Sequence, residues 1–174
     1  MIRFEYVIRG AIADPDIMMP QQMEGTLNGK GLRFAIILSR YNDFLTDRLL
    51  EGALEALQAH EVEEAHTVVV KVPGAFELPQ AARRIAARGE NDAIICLGAL
   101  LRGETLHFDL ISKECARGIQ NIAAEFGIPV TFGVITANTV EQAMARAAEG
   151  PENKGWEAAL AAIEMASLYR KLKK

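Results

Sequence analysis

The sequence predicts an α/β fold of three layers, αβα, in which a four-stranded parallel sheet carries helices on both faces. Two observations predict it. Short apolar segments of strand length alternate with segments of helical periodicity from residue 33 onward. The strand segments are apolar along their length rather than alternately polar, which suits strands buried on both faces. The chain has 174 residues, half of them hydrophobic and 24% charged. That is enough for one domain with a sizeable core, and it is not the composition of a disordered chain.

The elements follow in order. Residues 1–22 stand apart, because Pro15 and Pro20 interrupt them with acids and methionines between. They read as a peripheral N-terminal arm, and 23–174 as a single domain. Arg33–Ser39 is an apolar run of strand length. Thr46–His60 places Leu49, Ala53, Ala56 and Leu57 at helical spacing, with Asn42 and Asp43 as candidate caps. Thr67–Val72 is β-branched and reads as a strand. After Pro73-Gly74 a helix is expected over about Glu77–Arg88. Pro79 is compatible with it only in the first turn. Ala93–Leu97 is a third strand, and a glycine-containing loop leads to a helix over His107–Phe126, stopped by Gly127 and Pro129. Val130–Thr136 is a fourth strand. Thr139-Val140-Glu141-Gln142 has a capping-box pattern. Gly150-Pro151 breaks the chain before a last helix over Gly155–Leu172, whose terminal lysines suit the helix dipole.

Several classes are excluded by what is missing. A net charge of −4 gives no basic field for nucleic acid or an anionic membrane. No apolar run is long enough to span a bilayer, and Met1–Gly10 has no signal-peptide core. A cytoplasmic location is expected. Cys96 and Cys115 match no metal-ligand spacing and read as small buried hydrophobes. His60, His66 and His107 show no ligand pairing, so no metal is expected. Neither phosphate-loop nor dinucleotide fingerprint occurs, nor a G-x-S-x-G elbow.

In a parallel α/β sheet, ligands sit beyond the carboxyl ends of the strands, near a switch in strand order. Four segments occupy those ends: Arg40–Phe44, Pro73–Glu77, Gly98–His107 and Ala137–Thr139. In the third, Gly103 allows a tight turn, and the amides of Glu104 and Thr105 fall where a helix N-terminus attracts an anion. His107 follows within a turn, where an imidazole can shuttle protons. Gly74 lets a ligand approach the backbone, and Glu77 offers two acceptors to a polyol. Tyr41 offers a ring for stacking. Each also has a plainer reading that pattern alone favours: a helix-capping histidine, a helix-N-terminal acid, a ring over the sheet edge. Arg146 lies about two turns into its helix, roughly 10 Å from the helix start, and so away from its own strand-end loops. Arg146 and Lys154 read individually as solvated cations.

Together, these segments resemble the lumazine synthase family. Its R-[FY]-N-D-F is Arg40–Phe44 here, and its V-P-G-A-F-E is Val72–Glu77. Its L-G-x-x-x-R-G-x-T-x-H-[FY] is Leu97–Phe108, its E-Q-A-x-x-R-A is Glu141–Ala147, and its N-K-G-x-E-A-A is Asn153–Ala159. Ile163–Ala166 also fits. The motifs occur in family order over about 24–172.

The resemblance implies a flavodoxin-like fold and a reaction. 5-Amino-6-ribitylamino-uracil condenses with 3,4-dihydroxy-2-butanone 4-phosphate to 6,7-dimethyl-8-ribityllumazine, with loss of phosphate and water and no cofactor. It implies that Tyr41 stacks on the pyrimidine, and that Ala75, Phe76 and Glu77, with Asn42 nearby, hold the ribityl chain. Backbone groups of Ala99, Leu100 and Leu101 would read the uracil edge. Glu104, Thr105 and Arg146 would cradle the phosphate, His107 would move protons, Lys154 would assist at the uracil carbonyl, and Phe132 would wall the site, with Glu157 behind it. It implies a homopentamer, which in some relatives extends to a decamer or 60-subunit shell, and riboflavin synthase as a candidate protein partner. Phe132, Arg146 and Lys154 would then come from a neighbouring subunit.

Two departures stand out. Glu104 replaces a small residue, so only its amide suits a phosphate. The stretch Ala148–Asn153 lacks a Thr-Lys pair common in shell-forming relatives. The alternative reading is a non-catalytic, lumazine- or flavin-binding or shell-forming paralogue.

Overall fold

The structure, a computed structural model, describes residues 20–173. The expected arm at 1–22 therefore lies outside the described residues except for Pro20, Gln21 and Gln22, which carry no regular structure. The chain runs β1 (Phe34–Ser39), α1 (Asp43–Ala59), β2 (Thr67–Val72), α2 (Leu78–Ala86), β3 (Ala93–Leu101), α3 (His107–Phe126), β4 (Val130–Ala137), α4 (Val140–Arg146) and α5 (Lys154–Leu172). Short 3₁₀ turns at Glu64–His66 and Ala75–Glu77 lead into β2 and α2. The four strands are all parallel, in the order β2-β1-β3-β4. The α/β expectation holds, and its physical basis is the division of the strands between two cores.

Successive strand residues point to opposite faces. Phe34, Ile36 and Leu38 of β1 and Ile95, Leu97 and Ala99 of β3 pack with α1, α4 and α5. Ala35, Ile37, Ile94 and Cys96 pack with α2 and α3. All of these are fully buried, which is why the central strands contain no polar residue before Ser39. The α5 face is built of Ala158, Ala159, Ala162 and Ala166, so this helix sits close to its neighbours. A Cβ on Gly155 would lie 1.9 Å from the Leu49 carbonyl oxygen of α1. One on Gly133 would lie 2.5 Å from Leu97 Cδ2.

Several boundaries differ from the sequence expectation. β3 continues through Leu101 instead of ending at Leu97, because Gly98–Leu101 pair one for one with Val134–Ala137 of β4. Gly98 reads locally as a loop glycine. In the sheet its missing Cβ leaves room for Leu78, Ser39 and Val134, the nearest atoms being 3.2 Å from where it would stand. α1 starts at Asp43, three residues before Thr46. Asn42 does not cap it through its side chain. It adopts a left-handed backbone (φ 60°, ψ 48°), a conformation Asn tolerates better than most residues, and its carbonyl accepts from Leu45 and Thr46. α2 begins at Leu78, after a 3₁₀ turn that holds Glu77, and Pro79 falls in its first turn. The cap at Thr139 is formed, Thr139 Oγ1 accepting from Gln142 N at 3.3 Å, but the reciprocal bond of a capping box is displaced by one residue: Gln142 Oε1 accepts from Asn138 N at 2.9 Å rather than from Thr139 N. Val68 and Val69 are exposed despite their apolar run, because among the described residues β2 is an edge strand paired with β1 alone. No helix among the described residues is long and apolar enough to cross a membrane.

Candidate functional site

The connection from β1 crosses to β2 on one side, and the chain then passes to β3 on the other. The switch in strand order therefore falls between β1 and β3. The two strands pair only as far as Leu38 and Leu97. Beyond that point β3 runs on to Leu101 with β4 alone, and among the described residues the edge that faced β1 has no strand beside it. Alternation places the N–H and C=O of Ala99 and Leu101 on this edge, and those of Leu100 on the β4 side. Two hydrogen bonds agree with it. Asn42 Nδ2 donates to the Ala99 carbonyl at 2.9 Å, and Arg102 N donates to Ala137 O of β4 at 2.9 Å. Leu101 thus presents one donor and one acceptor, side by side, to the space beyond β1.

That space is a cavity of about 540 Å³. Tyr41 and Asn42 after β1, Gly74–Glu77 after β2, and Ala99–Leu101 at the end of β3 line it. Gly103, Thr105 and His107 close its far side. The expected residues Tyr41, Asn42, Ala75, Phe76, Glu77, Ala99, Leu100, Leu101, Thr105 and His107 therefore meet in one cleft, although they span more than sixty positions of chain. Glu77 both precedes α2 as its N-cap residue and lines the cavity. Tyr41 is 71% exposed, so its ring covers no sheet edge and stands free at the cleft mouth.

Local structure explains the placements. The αL turn at Asn42 brings Tyr41 back over the sheet end, and the Asn42 amide ties that turn to β3 across 57 positions of sequence. Gly74 is extended (φ −149°), so it is not required for a left-handed turn. What it provides is room, since a Cβ there would approach Glu77 Oε2 to 3.2 Å. Gly103 likewise does not take up a left-handed conformation, contrary to the expectation of a turn that other residues resist. Nothing lies within 4 Å of the position of its Cβ, and the backbone beside it is open to the cleft. The Thr105 hydroxyl accepts from His107 N at 3.4 Å, at the start of α3. Glu104 is exposed and does not line the cavity.

Three further expected residues are not in this cleft. Phe132 pairs with Cys96, three positions before the Ile135–Ala99 pair, so it lies about 10 Å down the edge strand from the cleft floor. Arg146 is the last residue of α4, and its Nη1 donates to the Gln142 carbonyl at 3.0 Å. Lys154 opens α5 and pairs with Glu157 at 2.5 Å. All three are partly or fully exposed on the outer side of the molecule.

Sequence reading did not single out Arg102, Asp109 or Asn138. Arg102 Nη1 and Nη2 bond both carboxylate oxygens of Asp109 at 2.9 and 2.8 Å, and its Nε bonds Asn138 Oδ1 at 2.9 Å. Its guanidinium lies 4.3 Å from the centroid of Phe108. The hydrogen bonds from Arg102 hold the Asp109 carboxyl below the ordinary carboxylate range and raise the arginine in turn. The seven-residue separation of Arg102 and Asp109 spans a loop and carries no periodic signal.

Comparison with known proteins bears on the same segments. The family profile described as 6,7-dimethyl-8-ribityllumazine synthase matches residues 31–170. A protein of that name from Desulfatibacillum aliphaticivorans is 49% identical over 155 residues, covering 89% of this chain and all of the relative. Another of that name from Desulfosudis oleivorans is 51% identical over 150 residues, covering 86% of this chain and 96% of the relative.

Proposed function

Because the chain belongs to the 6,7-dimethyl-8-ribityllumazine synthase family, we propose that its cleft condenses 5-amino-6-ribitylamino-uracil with 3,4-dihydroxy-2-butanone 4-phosphate. The product is 6,7-dimethyl-8-ribityllumazine, an intermediate of riboflavin biosynthesis, and phosphate and water are lost. The observation that carries this reading is the open edge of β3. The adjacent N–H and C=O of Leu101 match the alternating carbonyl and N–H edge of a uracil, at the strand-order switch where such ligands bind.

The remaining roles follow from position. Tyr41 stacks on the pyrimidine from the cleft mouth. Asn42 has its amide nitrogen committed to Ala99, so its Oδ1 serves the ribityl hydroxyls together with Glu77 and the backbone of Ala75 and Phe76. The amides of Glu104 and Thr105 before α3 receive the phosphate, where the helix dipole favours an anion. His107, beside that phosphate, moves protons as the imine forms and as phosphate leaves.

In this reading the site is completed by a second copy, within a pentamer. Phe132, Arg146 and Lys154 lie away from their own cleft, yet they supply the wall and the charges that the cleft lacks. The cleft-side surface also leaves Tyr41, Phe76, Leu106 and Leu110 exposed, an apolar surface suited to a neighbour. A guanidinium from that neighbour neutralises the phosphate that His107 helps to expel.

The test uses both substrates and mixed subunits. Wild-type protein is expected to form the lumazine, and His107→Ala and Arg146→Ala homomers to be severely impaired. Mixing the two impaired proteins under reassembly is expected to restore activity at hybrid sites that hold one intact histidine and one intact arginine. Absence of wild-type turnover would overturn the activity. Absence of recovery in verified mixed assemblies would overturn the shared site.

A further inference from the structure

We propose that Arg102 is a positioning residue: it clamps the loop 103–106 in the form that receives the substrate phosphate. The proposal rests on the function inferred above. Four connections converge on this one residue. Its backbone N–H extends the β3–β4 ladder by one bond, to Ala137 O. Its Nε reaches Asn138, at the turn into α4. Its two terminal nitrogens grip Asp109, in the first turn of α3, through both carboxylate oxygens. Its guanidinium carbon lies over the Phe108 ring, 4.3 Å from the centroid. The segment between clamp and helix is Gly103, Glu104, Thr105 and Leu106, followed by His107. Both ends of the proposed phosphate cradle are thereby fixed to the sheet.

The clamp is needed because little else holds this loop. Leu106 is 75% exposed, Gly103 has nothing within 4 Å of the position of its Cβ, and among the described residues the side-chain bond within the loop region is the long Thr105–His107 contact. An unrestrained loop would have to be ordered by each phosphate that arrives, at an entropic cost to binding. The pair contributes little to overall stability. Both side chains are partly exposed, and such pairs are worth little in water. What the fork adds is direction, since a planar bidentate contact fixes orientation where a lysine would supply only charge.

The experiment compares wild-type protein with Arg102→Gln, Arg102→Lys and Asp109→Asn as full chains. For each, KM for both substrates, kcat and the inhibition constant of inorganic phosphate are measured. All three variants are expected to raise KM for the phosphorylated ketone, and the phosphate inhibition constant, by on the order of tenfold or more. KM for the pyrimidine and the melting temperature should stay near wild type. Lysine should fail to rescue. The Arg102→Gln/Asp109→Asn double variant should be no worse than Arg102→Gln alone, because Asp109 acts only through its contact with Arg102. Unchanged phosphate parameters, full rescue by lysine, or equal losses for both substrates would overturn the clamp. Phosphate titrations followed at the amides of Gly103 to Thr105 read the same effect without turnover. A wild-type protein that binds phosphate but forms no product would sink the inferred function and leave the clamp standing. Should Arg102→Gln not fold, Asp109→Asn carries the test.

Discussion

Replacing Asn153 by alanine removes four hydrogen bonds at a single buried point. Oδ1 accepts from Gly155 N at 2.7 Å and Trp156 N at 3.3 Å and so caps α5. Nδ2 donates to the Arg48 carbonyl of α1 and to the Ala148 carbonyl, both at 3.0 Å. Losing an N-cap costs about 1 kcal/mol, and losing each donated bond about another 1 kcal/mol. Together these predict a destabilisation of about 3 kcal/mol for Asn153→Ala. For a chain of this size that lowers Tm by roughly 6–12 °C. Asn153→Asp separates the two halves of the effect. It keeps the capping oxygen but turns a second oxygen toward two carbonyls, so it is expected to be no more stable than the alanine variant. Thermal unfolding followed by circular dichroism, at matched protein concentration because assembly shifts Tm, measures both. A Tm within about 2 °C of wild type for Asn153→Ala, or a wild-type Tm for Asn153→Asp, would refute the reasoning.

Two further outcomes follow from titration. Cys96 and Cys115 are buried, and desolvation raises both thiols, Cys115 to about 11. Neither is expected to react with a soluble thiol reagent at pH 8 until the protein is unfolded, when both should; rapid labelling of the native protein contradicts this. Asp109 is held low mainly by its bonds to Arg102, with Lys113 assisting. A depressed folded pKa means that its contribution is complete above the ordinary carboxylate range and is lost as pH falls through the lowered value. In Arg102→Gln the Asp109 carboxyl resonance should titrate at a higher pH than in wild type, and an unmoved midpoint argues against the pairing.

The expected function rests on short stretches of sequence whose geometry is local. Pro73–Glu77, Thr105 and His107 face the cleft because each follows a strand end, and a strand end can be read from an apolar run and the break that follows it. The cap at Thr139 was legible for the same reason. Strand order was not, and neither was the end of β3. Gly98 looks like the start of a loop until β4 is laid beside it and pairs through Ala137. Asn42 looks like a cap until the fold brings the Ala99 carbonyl within reach of its amide. Arg102 looks like one loop cation among others until Asn138 and Asp109 close around it.

By itself the sequence determined the layered class, the succession of strands and helices, and the strand-end segments that carry chemistry. These properties are written in the period of neighbouring side chains, and burial on one or two faces enforces them turn by turn. Only the tertiary structure decided which backbone edge stands open and which side chains lock it, and it left Phe132, Arg146 and Lys154 out of the lining of their own cleft. Those outcomes depend on partners tens of residues away, and packing, rather than local preference, selects them.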